Sequence, residues 1–215
     1  MIELHITGRR PKLAAKLNNA FPDGAGIVAR ARSLIGGANK REVWEEQALV
    51  IAYLASQYDR KDAFILEIGA NRGFTAAVLK LAAKKALVTT LEPDENNRRE
   101  ARGNVLPLGV VVRPEKSTLY LERTEGSGCE YDMIFVDGDH KRVRLDLPWF
   151  NRLKVGGLFL HHDYSPLESA RPCPSVFEAL NDFGAHLGRE ADVLVVDNTM
   201  VGMAGWYRRE GETWG

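Results

Sequence analysis

The sequence has few cysteines, no net charge and no long hydrophobic run. Its 215 residues include two cysteines, Cys129 and Cys173, which give neither a disulfide framework nor the spacing of a zinc site. Lys and Arg together number 29, as do Asp and Glu, so no basic field favours nucleic acid or an anionic membrane surface. The longest apolar runs, such as 48–55, are too short to cross a bilayer. We therefore expect a reduced, cytoplasmic protein without a nucleic-acid or membrane partner.

The length and composition predict one well-buried α/β domain with a small N-terminal addition. Hydrophobic residues make up 45% of the chain and charged residues 27%, as in ordinary globular proteins. Two short helical patterns, over 11–21 and 25–35, indicate a small helical cap over residues 1–40. The domain proper is predicted over 41–215, beginning with a helix that Asn39 and Glu42 would cap and that runs to about Tyr58.

From Phe64 onward, short apolar runs alternate with amphipathic segments. This alternation predicts a mostly parallel, doubly wound sheet covered by helices on both faces. The two final runs look like an antiparallel hairpin, because a turn over 197–199 separates them. The predicted strands are 64–68, 87–91, 110–113, 131–136, 158–161, 192–196 and 200–207. The predicted helices between them are 73–85, 95–105, 118–123, 143–153 and 173–187.

The most informative stretch is the turn after the first of these strands. It reads Glu67-x-Gly69-x-x-x-Gly73 and leads directly into a helix. Glycines allow a sharp turn and the close approach of a ligand, and the amides at a helix N-terminus favour anionic groups. Glu92 ends the next strand, where a carboxylate can bind both ribose hydroxyls of a nucleoside. A purely structural turn and a solvated Glu92 are the alternatives.

The spacing of these residues resembles motif I and the acidic second-strand residue of class I S-adenosylmethionine-dependent methyltransferases. The dinucleotide pattern G-x-G-x-x-G is absent. The resemblance implies a Rossmann-like seven-stranded sheet with the order 3-2-1-4-5-7-6 and an antiparallel last strand. It also implies S-adenosylmethionine as cofactor. Ser117 is either an adenine contact or a helix cap. The implied cofactor-binding residues are Glu67, Gly69, Ala70, Asn71, Gly73, Phe74, Thr75, Glu92, Ser117 and Asp137.

Polar residues follow the later strands at the same predicted edge of the sheet. Asp137-Gly-Asp-His140 follows the fourth strand, and His162-Asp163 follows the fifth. This block resembles the macrocin- and mycinamicin-type sugar O-methyltransferases and the related cephalosporin hydroxylase-like protein. In that family, acidic residues at these strand ends hold a divalent cation, and a histidine serves as general base.

Carried over to this chain, the resemblance implies Asp137, His162 and Asp163 as metal ligands for Mg or Mn, and Asp137 and His140 as catalytic residues. His162 stands where the family has an acidic residue. A nitrogen ligand moves the preference away from Mg toward Mn, Fe, Ni or Zn, and it leaves open whether a metal binds at all. His140 could also be a helix-start residue with no proton to transfer. His161 is expected to point into the sheet packing.

These expectations lead to a hypothesis of methyl transfer to a hydroxyl of a small metabolite or sugar. One alternative is a Rossmann-type protein that binds NAD or another nucleotide without methyl transfer. Another is a methyltransferase of a macromolecule, which the zero net charge argues against. The sequence does not identify the acceptor, and a homo-oligomer is compatible with it.

Overall fold

The computed structural model describes residues 4–8, 17, 19–36, 43–167, 173–197 and 201–215. The chain divides into two compact units. Residues 10–116 form one unit, and residues 1–9 with 117–215 form the other. The predicted boundary at residue 40 does not coincide with this division and stays a prediction.

In the unit of residues 10–116, the described residues form three parallel strands and several helices. Strand β3 (Leu87–Leu91) lies in the middle and pairs with β2 (Phe64–Ile68) on one side and with β4 (Val111–Arg113) on the other. The helix α4 begins where the side chain of Asp94 accepts a hydrogen bond of 2.9 Å from the amide of Asn97. Its elements are α1 (Gly24–Leu34), α2 (Glu45–Ser56), β2 (Phe64–Ile68), α3 (Phe74–Ala82), β3 (Leu87–Leu91), α4 (Glu95–Val105) and β4 (Val111–Arg113).

In the unit of residues 1–9 and 117–215, the part of the chain that the structure describes forms five strands, in the order β1 (Leu4–Gly8), β7 (Val193–Asp197), β8 (Gly202–Tyr207), β6 (Leu153–Tyr164) and β5 (Tyr131–Val136). Strand β8 is antiparallel to β6 and β7, whereas β1 is parallel to β7 and β5 is parallel to β6. Two 3-10 helices, at 143–145 and 147–152, replace the predicted helix 143–153. The other elements are β1 (Leu4–Gly8), α5 (Ser117–Thr124), β5 (Tyr131–Val136), β6 (Leu153–Tyr164), α6 (Pro174–Leu187), β7 (Val193–Asp197) and β8 (Gly202–Tyr207).

Aromatic side chains dominate the core of this second unit. Phe183 of α6 packs against Phe150 and Trp206, each with ring centroids 5.1 Å apart and nearly perpendicular planes. Phe150 also meets Phe159 of β6 edge-on. Edge-to-face contacts of this kind add to the stabilisation that burial of the rings provides. The cluster fixes α6 against the strands that end in the polar residues described below.

The α/β fold with a parallel Rossmann-like core is confirmed, with one strand more than predicted. Counted from Phe64, the strands follow the predicted order 3-2-1 in one unit and 4-5-7-6 in the other, and the terminal hairpin is present. The eighth strand is Leu4–Gly8, within the segment for which the sequence predicts only a helical cap. It was missed because five residues carry too little alternation to distinguish an edge strand from a loop.

The remaining N-terminal predictions have mixed outcomes. The helix predicted over 25–35 is observed as Gly24–Leu34. The helix predicted over 11–21 and the cap of Asn39 and Glu42 lie largely or wholly outside the described residues. The following helix starts at Glu45, where Gln47 accepts a hydrogen bond from the backbone amide of Trp44. Among the described helices, none is both long enough and apolar enough to span a bilayer.

Candidate active site

The turn between β2 and α3 has an unusual backbone. Gly69, Asn71 and Gly73 have positive φ angles of 98°, 47° and 90°. Asparagine is one of the few residues other than glycine that adopts this conformation readily. A Cβ on Gly73 would lie 2.9 Å from Cγ1 of Val105 in α4. Glycine at position 73 is therefore required both by the backbone conformation and by the close packing of α4.

Several amides of this turn are already used within the protein. The amides of Gly69 and Ala70 both donate to the carbonyl oxygen of Leu91 at 3.1 Å. The amide of Gly73 donates to the carbonyl oxygen of Ala70 at 2.7 Å. The expectation that these glycine-turn amides hold an anionic group is thus not supported by their geometry. The amides of the first turn of α3, whose N-cap Gly73 supplies no side-chain bond, are left as candidates.

Glu92 lies at the end of β3 and faces the turn. Its Oε2 accepts a hydrogen bond of 2.7 Å from the amide of Asn71, and its Oε1 accepts one of 2.9 Å from the amide of Asp94. Only 6% of the residue is exposed, and this burial raises the pKa of Glu92 despite both amides. A carboxylate has about four acceptor positions. Two therefore stay available to hydroxyl donors, and the alternative of a freely solvated Glu92 does not hold.

Glu67, a predicted cofactor contact, lies inside the sheet. It is fully buried in β2, opposite Thr90 of β3, and its Oε2 accepts a hydrogen bond of 2.5 Å from the Thr90 hydroxyl. Glu67 has no exposed surface and links β2 to β3 through this bond, and its contact with the cofactor stays a prediction. Phe74 is also buried, and the guanidinium of Arg32 lies 3.7 Å from its ring centroid. The predicted residues Ala70 and Thr75 are buried as well.

Ser117 belongs to the other unit and is the first residue of α5. Its hydroxyl donates to the carboxylate of Asp146, a buried residue that the sequence did not single out. Burial raises the pKa of Asp146 to about 6, although the Ser117 hydroxyl opposes the shift. The bond orients the Ser117 oxygen, which still has acceptor positions. A contact of Ser117 with adenine stays a prediction.

The four residues predicted for metal binding and catalysis lie together. Asp137 follows β5, His140 lies three residues later, and His162 and Asp163 end β6. Nε2 of His140 is 2.7 Å from Oδ2 of Asp163 and 3.3 Å from Oδ1 of Asp137. Nδ1 of His162 is 3.2 Å from Oδ1 of Asp163 and 3.4 Å from Oδ1 of Asp137. Two carboxylates and two imidazoles thus form one cluster.

An irregularity in β6 explains how two consecutive residues reach this cluster. Side chains of neighbouring strand residues normally point to opposite faces of a sheet. The register between β6 and β8 shifts between His162 and Tyr164, and Asp163 has a positive φ of 60°. Such a bulge re-aims a side chain locally. Asp163 consequently joins His162, whereas the buried His161 packs edge-on against Phe159 with centroids 4.6 Å apart, as predicted.

The cluster strongly perturbs the pKa values of its members. Hydrogen bonds to Asp137 and Asp163 raise the pKa of His140 to about 11. Burial alone would lower the pKa of His162, but Asp137 and Asp163 raise it to about 10. Burial disfavours both carboxylate charges, yet the two imidazoles outweigh it and hold the pKa values of Asp137 and Asp163 below their usual range. Burial lowers the pKa of His161 to about 3 and keeps it neutral.

The donor atoms fit a divalent cation. Asp137, His162 and Asp163 each offer a ligand atom, and these atoms lie within 4.8 Å of one another. This is the ligand set that the sequence predicts, and its mixture of oxygen and nitrogen donors suits first-row transition metals, Mn among them. A second set, His140, Asp163 and Cys173, meets the same distance limit. Cys173 was missed because sequence spacing cannot show that it lies near residues of two other segments.

Comparison with known proteins finds methyltransferases. Residues 66–164 match the family model described as a methyltransferase domain. The structure of a putative O-methyltransferase from Klebsiella pneumoniae is 20% identical, with a TM-score of 0.65 over 92% of this chain and 96% of that one. None of the curated proteins shows significant sequence similarity to the chain.

Two further solved structures have the same fold. An O-methyltransferase from Bacillus cereus in complex with SAH is 16% identical, with a TM-score of 0.66 over 92% of this chain and 97% of that one. The second is the O-methyltransferase TomG from Streptomyces achromogenes, which is involved in tomaymycin synthesis and was solved with SAM. It is 15% identical to this chain, with a TM-score of 0.64 over 92% of this chain and 96% of that one.

The domain match favours methyl transfer over the NAD-binding alternative. The narrower resemblance to macrocin- and mycinamicin-type enzymes stays a prediction. Through the domain matched over residues 66–164 and its Rossmann-like fold, the chain resembles the class I S-adenosylmethionine-dependent methyltransferases.

Proposed function

We propose that the chain transfers the methyl group of S-adenosylmethionine to a hydroxyl oxygen of a small metabolite or sugar. The observation that carries this proposal is the cluster of Asp137, His140, His162 and Asp163 at the ends of β5 and β6. An alcohol is a weak nucleophile at neutral pH, so its transfer reaction needs a group that takes the hydroxyl proton. The cluster supplies such a group in a partly buried position.

Glu92 is the proposed contact for the cofactor ribose. Asn71 and Asp94 fix the orientation of its carboxylate, and each carboxylate oxygen has one further acceptor position for a ribose hydroxyl. Hydrogen bonds to a charged acceptor of this kind are among the stronger ones. The first turn of α3 would face the anionic end of the cofactor, as the sequence predicts for Phe74 and Thr75.

His140 is the proposed general base. Nε2 of His140 lies 2.7 Å from Asp163, so an Nε2–H donated to that carboxylate leaves Nδ1 as the proton acceptor. The acceptor hydroxyl gives its proton to Nδ1, its oxygen forms the bond to the methyl carbon, and the carbon–sulfur bond breaks to release S-adenosylhomocysteine. Since the pKa of His140 is raised to about 11, the rate should increase with pH as the neutral imidazole becomes more abundant.

Asp137, His162 and Asp163 are the proposed ligands of a divalent cation, and their donor atoms fit one. A cation held there would supply Lewis-acid chemistry that lowers the pKa of an acceptor hydroxyl. The imidazole of His162 favours Mn, Fe, Ni or Zn over Mg, which prefers oxygen ligands alone. The carboxylates of Asp137 and Asp163 also hold the two imidazoles in place.

A matched pair of substitutions tests the role of Asp137. Asp137→Asn should abolish methyl transfer to hydroxylated acceptors, measured as S-adenosylhomocysteine release, while calorimetry still detects cofactor binding. Asp139→Asn, in the same loop but exposed, should behave like the wild type. Normal turnover by Asp137→Asn would contradict the proposed role, and failure of the wild type to bind S-adenosylhomocysteine would contradict the proposed function itself.

The proposed setting is the cytoplasm, which the free thiols of Cys129 and Cys173 support. The zero net charge supports a small-molecule acceptor over nucleic acid. Methylation of RNA or of a protein in the same release assay would point instead to the macromolecular alternative. Light scattering on the purified chain tests whether it forms the homo-oligomer that the sequence allows.

A further inference from the structure

Cys173 lies next to the acid–imidazole cluster, although the proposed reaction gives it no role. It is the residue immediately before α6, and it is partly exposed. Its sulfur, a ring nitrogen of His140 and a carboxylate oxygen of Asp163 lie within 4.8 Å of one another. The three donors come from separate segments: the loop after β5, the end of β6 and the start of α6.

The local structure holds these three donors in place. The hydroxyl of Ser175, two residues beyond Cys173, donates a hydrogen bond of 2.6 Å to the carbonyl oxygen of His140. This bond ties the start of α6 to the loop that carries the imidazole. The positive φ of Asp163 directs its carboxylate toward the same point. The arrangement is therefore a built site rather than a chance approach of exposed side chains.

This donor set is chemically distinct from that of Asp137, His162 and Asp163. The two sets share Asp163, but its oxygens face different partners: Oδ1 is 3.2 Å from His162 and Oδ2 is 2.7 Å from His140. A thiolate and an imidazole are the ligands that Zn²⁺ prefers, whereas Mg²⁺ is bound by oxygen. Three protein ligands with a water in the fourth position make a common zinc geometry.

We propose that Cys173, His140 and Asp163 form a second binding site, which shares Asp163 with the first, for a thiophilic divalent cation, Zn²⁺ above all. Binding replaces the proton on the Cys173 sulfur and the proton on the coordinating nitrogen of His140, and both protons go to solvent. Burial raises the pKa of the free Cys173 thiol, but a coordinated thiol loses its proton to the metal's charge.

The site connects metal availability to catalysis. An imidazole that coordinates a cation cannot turn freely to accept a proton from a substrate. Zn²⁺ should therefore inhibit the methyl transfer proposed above, and Mg²⁺ should not inhibit through this site. Only this inhibitory consequence rests on the proposed function, because metal binding by the three donors requires no methyl transfer.

Co²⁺ is the probe for the site, because a cobalt–thiolate bond produces a charge-transfer absorption in the near ultraviolet. The wild type should show this band on addition of Co²⁺ and lose it on addition of Zn²⁺. Cys173→Ser should show no band, and the matched variant Cys129→Ser should show the full band. The proposal is overturned if the wild type shows no band or if Cys173→Ser keeps it.

Alkylation gives a second readout that is independent of spectroscopy and of activity. Iodoacetamide labelling followed by mass spectrometry should show that Zn²⁺ slows modification of Cys173 at least about tenfold, as expected for a coordinated sulfur. The rate of Cys129 modification in the same sample should not change on addition of Zn²⁺. Equal rates of Cys173 modification with and without Zn²⁺ would overturn the proposal. Calorimetry with S-adenosylhomocysteine on the same preparation shows separately whether the proposed function fails.

Discussion

The backbone amide of Asn71 donates a hydrogen bond of 2.7 Å to Oε2 of Glu92. The bond joins the turn after β2 to the end of β3, so the two strand ends that the sequence predicts as a nucleoside site are physically coupled. It is made possible by the left-handed conformation of Asn71, which aims the amide at the carboxylate. The shape of the turn and the orientation of Glu92 therefore depend on each other.

Replacement of Glu92 by Gln should weaken cofactor binding. The amide group of Gln can accept hydrogen bonds with one atom only, so one of the bonds from Asn71, Asp94 or a ribose hydroxyl is lost. Hydrogen bonds to charged groups contribute about 1.5–3 kcal/mol, so the Kd for S-adenosylhomocysteine should rise about 10- to 150-fold in calorimetry. Glu95→Gln, on an exposed residue of α4, is the control. An unchanged Kd for Glu92→Gln would remove Glu92 from the site.

Position 71 should tolerate glycine but not a β-branched residue. A left-handed conformation costs an ordinary residue about 1–2 kcal/mol, and more when the side chain is branched at Cβ. Asn71→Val should therefore lower the melting temperature by several degrees and weaken cofactor binding, whereas Asn71→Gly should remain close to the wild type. Thermal melts with and without S-adenosylhomocysteine measure both effects. Equal behaviour of Gly and Val would mean that the turn adopts another conformation.

Stability should fall on the alkaline side because of His140 and His162. Their pKa values are raised to about 11 and about 10, so between about pH 6.5 and these values the folded chain holds protons that the unfolded chain has released. The stabilisation is complete below about pH 6.5 and is lost as the pH rises through about 10–11. Urea denaturation with a chelator present should thus show a lower free energy of unfolding at pH 10 than at pH 7.

His140→Gln should flatten this alkaline decline, since one of the two coupled imidazoles is removed. His186→Gln, which removes an imidazole outside the cluster that hydrogen-bonds to the Thr213 carbonyl oxygen, should leave the decline unchanged. An identical pH dependence in His140→Gln and the wild type would mean that the ion pairs of the cluster do not contribute to stability.

Arg189 should be important for folding, although the sequence predicts no functional role for it. Its guanidinium contacts Asp192 at 2.6 Å and Glu212 at 2.7 Å, and all three side chains are largely buried. Removing one partner of a buried ion pair costs about 3–5 kcal/mol, because the other charge is left without compensation. Because Asp192 keeps a contact of 3.0 Å with Nη2 of Arg209, Arg189→Met should lower the free energy of unfolding by an amount near the lower end of that range. Arg144→Met, which breaks the exposed pair with Asp182, should cost less than about 1 kcal/mol.

The sequence predicted the strands of the parallel core well, because burial on both faces leaves a continuous apolar run that ends at a polar residue. Strands 64–68, 87–91 and 131–136 agree with the structure to the residue. Asp137, His162 and Asp163 were predicted to lie together because the carboxyl ends of parallel strands meet at one edge of a sheet. The edge strand Leu4–Gly8 lacks such a run, and no local pattern indicates its pairing with β7.

The contacts that depend on three-dimensional detail were not predictable from the sequence. The use of the Gly69 and Ala70 amides by Leu91 follows from the register of two strands, which no single segment encodes. The bond between Ser117 and Asp146 joins residues 29 positions apart. Cys173 approaches His140 only because α6 packs where the aromatic cluster of Phe150, Phe183 and Trp206 holds it.

The left-handed backbone of Asp163 constrains which amino acids can replace it. A glutamate would carry the same charge, but its longer chain cannot form the short local hydrogen bonds that make this conformation accessible to aspartate and asparagine. Saturation mutagenesis at position 163 should therefore give different results in a screen for expression and in a screen for activity. The variants that express as soluble protein should be mainly those with Asp, Asn or Gly. Among these, only Asp should also retain turnover. In homologous chains, an acidic residue at this point can accordingly be expected to be the shorter of the two.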